Sequence, residues 1–400
     1  MHILNPSPRH GAPLLPRDAE TFGDAGVANV AALLAACPAH KPTPLSTLPG
    51  LAKELGVGAL HLKDEGHRLG LGSFKALGGA YVVMQLVREA AEEKLARPVA
   101  PAELMSDEIR AIARTMTFAC ATDGNHGRSV ARGAQLVGAN SAIFMHGGVT
   151  DARVAAIAQY GADIHRVDGS YDDSIVVAAR MAEENGWITL SDTSWDGYEY
   201  IPSLVMQGYT MIVEEALAAL DQPPTHVFIQ SGVGGIAAAM AARLAIRLGD
   251  RRPHFTVVDP ARAACLFESA KAGEPVQVEE GEPTIMAMLE CFEPSMIAFD
   301  VLERTADSFM AVEEDLSPQA MRRLAAPTEA DPPVVSGESG CAGLAGLMEA
   351  SGDNAIRTAM GLDEESRVLV VNTEGATDPA LYERIVGKSP EEVQEGRQAT

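Results

Sequence analysis

Short apolar runs alternate along the chain with longer segments in which apolar residues recur every three or four positions. The runs have the length of buried strands, and the periodic segments have the length of helices. The first alternating series predicts strands at 116–121, 141–145, 163–167 and 187–190, separated by helices at 127–136, 152–160 and 172–185. Because strand and helix alternate with short turns, we expect a parallel sheet.

A second alternating series follows a long helical pattern at 204–220. It predicts strands at 225–230, 254–258, 308–312 and 368–371, with helices from 232 to 248 and at 340–350. Ahead of both series, an extended run at 60–63 leads into a helical pattern that begins near Ser73. The fold class predicted is therefore α/β, with two lobes that each contain an open, mostly parallel sheet flanked by helices.

The two series also predict the domain organisation. We expect a large domain at 1–84 and 191–400 and a small α/β domain at 85–190. Open parallel sheets bind ligands at the carboxyl ends of their strands. A ligand cleft between the two lobes is the arrangement that this pattern favours.

Composition narrows the functional classes. The 400 residues are 46% hydrophobic, which is typical of a globular protein with a sizeable core. The formal charge of −24 argues against nucleic acid or an anionic membrane as the main partner. No apolar run reaches the roughly 18 residues of a spanning helix, and the N-terminus lacks a signal-peptide layout, so we expect a cytoplasmic protein. The five scattered cysteines form no Cys-x-x-Cys pair, which argues against a metal site; whether Cys265 and Cys291 pair stays open.

Lys75 is the first candidate for chemistry. It follows Ser73-Phe74 at the start of a helical pattern and precedes Gly78-Gly79. A cation at a helix N-terminus opposes the helix dipole, which favours the neutral amine that attacks carbonyl groups. By itself the position is also that of an ordinary surface lysine.

Two loops between a strand and a helix are further candidates. In Thr122-Asp123-Gly124-Asn125-His126-Gly127, the backbone and Asn125 would bind an anion or a ligand oxygen; the alternative is a polar turn in which Asp123 or Asn125 caps the helix. His126 is expected either to be structural or to support a residue that binds the ligand, because no other histidine or cysteine sits at ligand spacing. In Ser231-Gly232-Val233-Gly234-Gly235, consecutive small residues let the backbone close on a phosphate.

The glycine loop has a rival interpretation. Gly232-x-Gly234-x-x-Ala237 follows a strand, and Asp259 ends the next strand at about the ~20-residue distance of a dinucleotide fingerprint. Alone, this motif predicts an NAD-dependent dehydrogenase. That enzyme would leave Lys75 and the Asp123 loop without a role, whereas pyridoxal phosphate needs a lysine, a donor loop and a phosphate cradle.

The three motifs in this order resemble the tryptophan-synthase-β and threonine-dehydratase class, fold type II of the pyridoxal-phosphate enzymes. Within it, longer stretches are similar to the diaminopropionate ammonia-lyase family. They are Arg68–Tyr81, Thr122–Arg128, Ser191–Tyr198, Ile201–Tyr209, Ser336–Gly343 and Thr373–Gly375. The similarity runs from about Pro42 to about Tyr382 and implies a homodimer with the cofactor in the cleft, acting on a small amino acid.

The resemblance implies a role for each matched residue. Lys75 would carry the cofactor as a Schiff base and remove the Cα proton of the L isomer, and Asp123 would be the base for the D isomer. Asp192 would hold the substrate's amino group. Asn125 would bind the cofactor's ring oxygen and Gly232, Val233, Gly234 and Gly235 its phosphate. The implied reaction is elimination of ammonia from 2,3-diaminopropionate, which yields pyruvate and two ammonia; a serine/threonine dehydratase is the alternative of the same fold.

Some assignments stay open at this point. Asp192 would equally cap the segment after its strand, and Trp195 and Tyr198 would equally be packing residues. Glu338 would line the site or cap the following helix. In much of the class the last core strand ends in Ser, Thr or Cys at the pyridine nitrogen. Here Asn372 is the candidate, with Thr373 in reserve.

Overall fold

A computed structural model describes residues 1–122, 124–328 and 331–398 of the chain. Its strands closely follow the apolar runs of the sequence. They are β1 His2–Leu4, β2 Leu45–Thr47, β3 Ala59–Asp64, β4 Thr117–Ala121, β5 Asn140–His146, β6 Asp163–Val167, β7 Ile188–Thr189, β8 His226–Gln230, β9 His254–Pro260, β10 Ser308–Val312 and β11 Arg367–Asn372.

The helices likewise follow the periodic segments. They are α1 Pro16–Thr21, α2 Asp24–Ala35, α3 Pro49–Leu55, α4 Lys75–Leu95, α5 Asp107–Ala113, α6 Asn125–Val137, α7 Asp151–Ala158, α8 Tyr171–Asn185, α9 Tyr200–Ala219, α10 Gly235–Leu248, α11 Cys265–Ala272, α12 Met296–Thr305, α13 Leu316–Ala325, α14 Ala342–Gly352, α15 Asn354–Met360, α16 Pro379–Val386 and α17 Pro390–Gln398. Among the described residues, no helix combines the length and the apolar character needed to cross a membrane.

The chain divides into two compact units. The first unit comprises Met1–Gly23, Pro42–His67 and Ile212–Thr400, and the second comprises Asp24–Lys41 and Arg68–Met211. These bounds differ from the predicted domains of 1–84 with 191–400 and of 85–190. Lys75 and Asp192, both expected in the large domain, belong to the second unit, because α4 packs against α6 and β7, which precedes Asp192, pairs with β4.

The first unit is built on a sheet with the strand order β1-β10-β9-β8-β11-β3-β2. Its central strands are parallel, and the short edge strands β1 and β2, which the sequence did not predict, are antiparallel to their neighbours. Every residue of β8 and β10 is buried, which explains their continuous apolar runs. The carboxyl ends of β8, β11 and β3 therefore lie side by side at one edge of this sheet.

The second unit contains the parallel sheet that the first alternating series predicts. Its order is β6-β5-β4-β7, and all its pairs are parallel. Because β4 and β7 are neighbours, the loops that follow them start from the same sheet edge. These are the loops that carry Asn125 and Asp192.

Close helix packing fixes the position of α4 in this unit. A Cβ atom on Gly79 would lie 2.7 Å from Ser129 Oγ, and one on Gly133 would lie 2.8 Å from Ala80 Cα. The Ser129 hydroxyl also accepts a hydrogen bond from the backbone N–H of Ala80 at 2.9 Å. Small residues at this crossing let α4 and α6 approach closely, so that α4 holds its first residue in a defined place.

Candidate active site

The predicted reactive lysine is the first residue of α4. The turn before it contains Gly70 and Gly72, whose φ values of +70° and +77° favour glycine. The N-cap residue, Phe74, makes no side-chain capping bond. The Lys75 ammonium is therefore attached at the positive end of the helix dipole, as the sequence predicts.

Lys75 and Asp192 are in direct contact in the second unit. The Lys75 ammonium donates a hydrogen bond to Asp192 Oδ2, and about a fifth of each side chain is exposed. Burial alone would raise the pKa of Asp192, but the Lys75 ammonium and His126 outweigh it and hold this pKa well below its usual range. Asp192 is thus a stable carboxylate that can bind a cationic group.

His126 lies beside the same carboxylate. Its Nε2 is 3.1 Å from the Leu190 carbonyl oxygen, which only accepts, so Nε2 carries the ring proton. Its Nδ1 lies 4.0 Å from Asp192 Oδ2, and burial lowers the pKa of the ring. The sequence interpretation gave His126 a structural or supporting role but did not name Asp192 as its neighbour. The usable signal was that β4 and β7, which precede the two residues, are adjacent in a parallel sheet.

The loop after β4 presents an amide donor. Asp123 lies outside the residues that the structure describes. The Thr122 hydroxyl accepts hydrogen bonds from the backbone N–H groups of Gly124 and Gly127, at 3.1 Å each. Asn125 is the first residue of α6 rather than its cap, and its Oδ1 accepts from Arg128 at 3.0 Å. The amide oxygen is thus engaged within α6, and the contact of the amide nitrogen, a donor, to a ligand oxygen stays a prediction.

Tyr198 shapes the segment that carries Asp192. Its hydroxyl donates to the Thr189 carbonyl at 2.8 Å and accepts from the Ser191 N–H at 3.0 Å. Its ring stacks on Trp195 with centroids 4.2 Å apart. The open choice between packing and substrate contact is thus partly answered: Tyr198 holds the backbone beside Asp192 in place.

The glycine loop of the first unit has the form of a phosphate cradle. Gly234 is the N-cap of α10 with a φ of +106°, and a Cβ atom on Gly232 would lie 2.8 Å from Cys291 Sγ. The Ser231 hydroxyl is buried and has no hydrogen-bond partner among the described residues. Backbone N–H groups at a helix start, next to an unpaired hydroxyl, form a donor set that fits a phosphate.

Asn372 ends β11 at the same sheet edge as this loop. Its Nδ2 donates to Asp64 Oδ1 at 2.8 Å and to the Val335 carbonyl at 3.1 Å, which fixes the orientation of the amide. Its Oδ1 is buried and unpaired within the described chain. Thr373 Oγ1, held in reserve, instead accepts from Gln230 Nε2 at 2.8 Å. A buried acceptor without a donor fits a protonated pyridine nitrogen, so Asn372 fits the cofactor better.

Asp259 decides against the dinucleotide interpretation. It lies inside β9, is buried, and its Oδ2 accepts from the backbone N–H groups of Leu266 and Phe267 at 3.0 and 2.9 Å. Burial raises its pKa to about 8. A carboxyl group that is hydrogen-bonded to the start of α11 is not presented to a ribose, so the fingerprint is incomplete.

Two remaining questions concern the first unit. Glu338 is buried and does not cap α14, whose N-cap is Cys341. Cys265 and Cys291 are thiols rather than the halves of a disulfide. In the part of the chain that the structure describes, no three His, Cys, Asp or Glu side chains come together as a metal site would require.

Known proteins resemble this chain over nearly its whole length. A family model described as "Pyridoxal-phosphate dependent enzyme" matches residues 36–374. The diaminopropionate ammonia-lyase of Salmonella typhimurium is 38% identical over 359 residues, which are 87% of this chain and 89% of that protein. The enzyme of the same name from Escherichia coli K12 is 37% identical over 356 residues, 87% of each chain.

Solved structures agree with these sequence matches. The Escherichia coli diaminopropionate ammonia-lyase in complex with an aminoacrylate-PLP azomethine reaction intermediate has a TM-score of 0.86 at 33% identity, covering 96% of both chains. A tomato threonine deaminase matches at a TM-score of 0.72 but only 18% identity, and so shares the fold alone. The expected fold type II architecture is confirmed. The chain therefore belongs to the pyridoxal-phosphate dependent enzymes, and among them to the diaminopropionate ammonia-lyase family.

Proposed function

We infer that this protein catalyses the pyridoxal-phosphate dependent elimination of ammonia from 2,3-diaminopropionate. The products are pyruvate and two molecules of ammonia, which balance one substrate and one water. The observation that carries the inference is the contact between the Lys75 ammonium, at a helix start, and the ionised Asp192. A reactive amine and a site for a substrate ammonium are thereby adjacent. The bound cofactor supplies the electron sink that makes the substrate's Cα proton removable.

The described side chains support a division of roles. Lys75 holds the cofactor covalently and, once released, takes the Cα proton of the L isomer. Asp192 binds the substrate's amino group through a charge-assisted hydrogen bond. Asn125 donates to the cofactor's ring oxygen, and Gly232, Val233, Gly234 and Gly235 hold its phosphate with the help of Ser231.

Asn372 is proposed as the partner of the pyridine nitrogen. An amide oxygen is a neutral acceptor, so it pairs with a protonated ring nitrogen without supplying the charge of a carboxylate. This choice differs from the Ser, Thr or Cys of much of the class. The proposal rests on the unpaired Oδ1 and on the fixed orientation of the amide.

Activity toward the D isomer is proposed through Asp123. The support is the resemblance of the Asp123–Gly127 loop to that of the family, since Asp123 itself is outside the described residues. An enzyme with two bases removes the Cα proton from either face of the cofactor. Asp123→Asn is therefore expected to lose D-isomer activity far more than L-isomer activity. Equal loss of both activities would mean that Asp123 positions the substrate instead.

The wider setting is also part of the proposal. The substrate is a small amino acid, and a protein of this charge and family is proposed to act in the cytoplasm as a homodimer. Neither nucleic acid nor membrane is expected as a partner, in keeping with the charge of −24. Sedimentation of the purified holoenzyme tests the dimer directly.

The substrate is tested by comparing pyruvate release from D- and L-diaminopropionate, serine and threonine with the same enzyme preparation. Both diaminopropionate isomers are expected to give kcat/KM values well above those of serine and threonine. If serine or threonine exceeded both isomers, the chain would be a dehydratase of the same fold. A colourless protein that binds NAD would instead restore the dehydrogenase, which Asp259 already disfavours.

A further inference from the structure

The hydroxyl of Tyr209 is a polar group that the proposed function does not use. Tyr209 lies on α9 in the second unit and is 2% exposed, and its Oη has no hydrogen-bond partner among the described residues. Leaving a buried hydroxyl unpaired is unfavourable, so such groups are rare outside functional sites. Tyr81 of the same unit shows the usual arrangement, because its hydroxyl donates to Gln207 and accepts from Asn29 at 2.9 Å.

Two contacts place this hydroxyl at the first turn of α4. The Tyr209 ring lies 4.8 Å, centroid to centroid, from Phe74, the residue before Lys75. A Cβ atom on Gly78 would lie 2.8 Å from the Tyr209 Oη, so the missing side chain of Gly78 makes room for the hydroxyl. Gly78 is three residues after Lys75 and therefore on the same face of the helix. The Lys75 amine itself lies 5.4 Å from the Phe74 ring centroid.

The proposed reaction requires a second hydrogen-bond partner for the Lys75 amine near the first turn of α4. Asp192 holds the Lys75 ammonium in the structure, yet the same carboxylate is proposed to bind the substrate's amino group. With substrate bound, Asp192 would be engaged by the substrate's amino group, so the Lys75 amine that is released from the cofactor would need another partner. The free amine must then be held within reach of the Cα proton, because proton removal is slower when a base at the end of a flexible side chain is not held in position.

We propose that the Tyr209 hydroxyl is the hydrogen-bond partner that positions the released Lys75 amine while Asp192 is occupied by substrate. The inference rests on the proposed function, and Tyr209 acts in it as a positioning residue. Burial raises the pKa of Tyr209, so the phenol keeps its proton and brings no charge to the amine. A neutral hydroxyl can donate to the lone pair of a neutral amine or accept from its N–H.

The test compares Tyr209→Phe with wild-type holoenzyme and with Tyr81→Phe as the matched control. The Tyr209 variant keeps the ring contact to Phe74 and loses only the unpaired hydroxyl. We expect its melting temperature to be unchanged or raised, whereas Tyr81→Phe, which loses two hydrogen bonds, melts lower. With L-diaminopropionate we expect kcat to fall by about tenfold with little change in KM, and with a shifted pH profile. The D isomer, for which Lys75 is not the base, should lose less than about threefold.

A second readout does not depend on turnover. Holoenzyme is mixed with excess amino acid, the amino acid is removed by rapid desalting, and the return of the resting absorption band reports recapture of the cofactor by Lys75. This return should be about tenfold slower in Tyr209→Phe and unchanged in Tyr81→Phe. Equal return rates in wild type and Tyr209→Phe, or equal loss of both isomer activities, would overturn the inference. If wild-type enzyme recaptured the cofactor but did not consume diaminopropionate, the proposed substrate would be refuted. The return rates of wild type and Tyr209→Phe would still test the role of Tyr209.

Discussion

Two lysines, one in each unit, form ion pairs with carboxylates, but their surroundings differ. Lys63 in the first unit is 1% exposed and donates to the Thr43 carbonyl at 2.8 Å, to the Thr43 hydroxyl and to Glu215 at 2.5 Å. A second carboxylate, Glu65, lies 3.7 Å away. The three protons of its ammonium are all engaged, as expected for a buried charge with a structural role.

The surroundings of Lys75 in the second unit allow its amine to change hydrogen-bond partners. Its side chain is 22% exposed, and its carboxylate partner also faces His126. The hydroxyl of Tyr209, which has no partner among the described residues, lies beside Gly78, three residues further along α4. The comparison teaches that a buried lysine whose N–H groups all have hydrogen-bond acceptors serves the stability of the fold. A lysine with a partly open site and spare polar groups nearby can leave one partner for another. The following predictions test that division.

The largest effect is expected for Lys75→Ala, which removes the amine that binds the cofactor. Activity should fall by about 10³-fold or more, with the melting temperature close to that of wild type. Lys75→Arg is the matched variant, because it keeps a cation beside Asp192 but cannot form the Schiff base, and it should be equally inactive. Steady-state pyruvate release and thermal melting measure both effects. Substantial activity in either variant would contradict the role of Lys75.

The opposite pattern is expected for Lys63→Met. Glu65 and Glu215 would be left as buried carboxylates without their cation, so the free energy of unfolding should fall by about 3–5 kcal/mol. The exposed pair of Lys271 and Glu268 provides the control, since Lys271→Met should cost about 0.5 kcal/mol or less. Denaturant unfolding of the three proteins measures the difference. A Lys63 variant as stable as the Lys271 variant would remove the distinction between the two lysines.

Asp192→Asn should affect activity more than stability. An amide keeps the shape of the side chain but binds a substrate ammonium without charge, so kcat/KM should fall by about 10²-fold. The loss should be similar for both isomers, because each presents the same amino group. Steady-state kinetics with L- and D-diaminopropionate provides the measurement. A variant with kcat/KM near that of wild type would show that Asp192 only caps its segment.

The smallest effect concerns pH. The folded-state pKa of Asp192 is depressed, so its stabilising contribution is complete above the unfolded pKa of about 3.8 and is lost as pH falls below it. In cofactor-free protein, the unfolding free energy of wild type minus that of Asp192→Asn should be about 1–2 kcal/mol at pH 7 and smaller at pH 3. Because the difference is taken between two proteins, titrating groups that do not interact with Asp192 cancel. A difference that grew toward pH 3 would contradict the ion pair.

The spacing of apolar residues along the chain was sufficient to predict most of the strands and helices. The strands at 163–167 and 308–312 have the predicted bounds, and the helix opened by the glycine loop ends at Leu248 as expected. The domain bounds were not predictable in the same way, since they depend on the contact of α4 with α6. That contact is made by small residues, Gly79 and Gly133, which give no periodic signal.

The site shows the same limit. Lys75 and Asp192 could be named from local motifs and a resemblance, and the structure joins them. The position of His126 beside Asp192 and that of Tyr209 beside Gly78 could not be predicted, because one looks like an isolated histidine and the other like a core residue of an apolar helix. Their roles depend on neighbours that are distant in sequence, at Leu190 and Gly78. For Asp259 the sequence suggested a ligand contact that the structure does not support. Its spacing fits a dinucleotide motif, but its carboxyl group is hydrogen-bonded to the start of α11.

Reduction of the holoenzyme with borohydride, followed by peptide mapping, tests the central claim most directly. The claim is that Lys75 carries the cofactor, and not Lys63, whose ammonium protons are all hydrogen-bonded. Reduction should fix one pyridoxyl group on the peptide containing Lys75 and abolish activity, with no label on the peptide containing Lys63. A label on Lys63 or on another lysine, or a protein that retains no cofactor, would contradict the account.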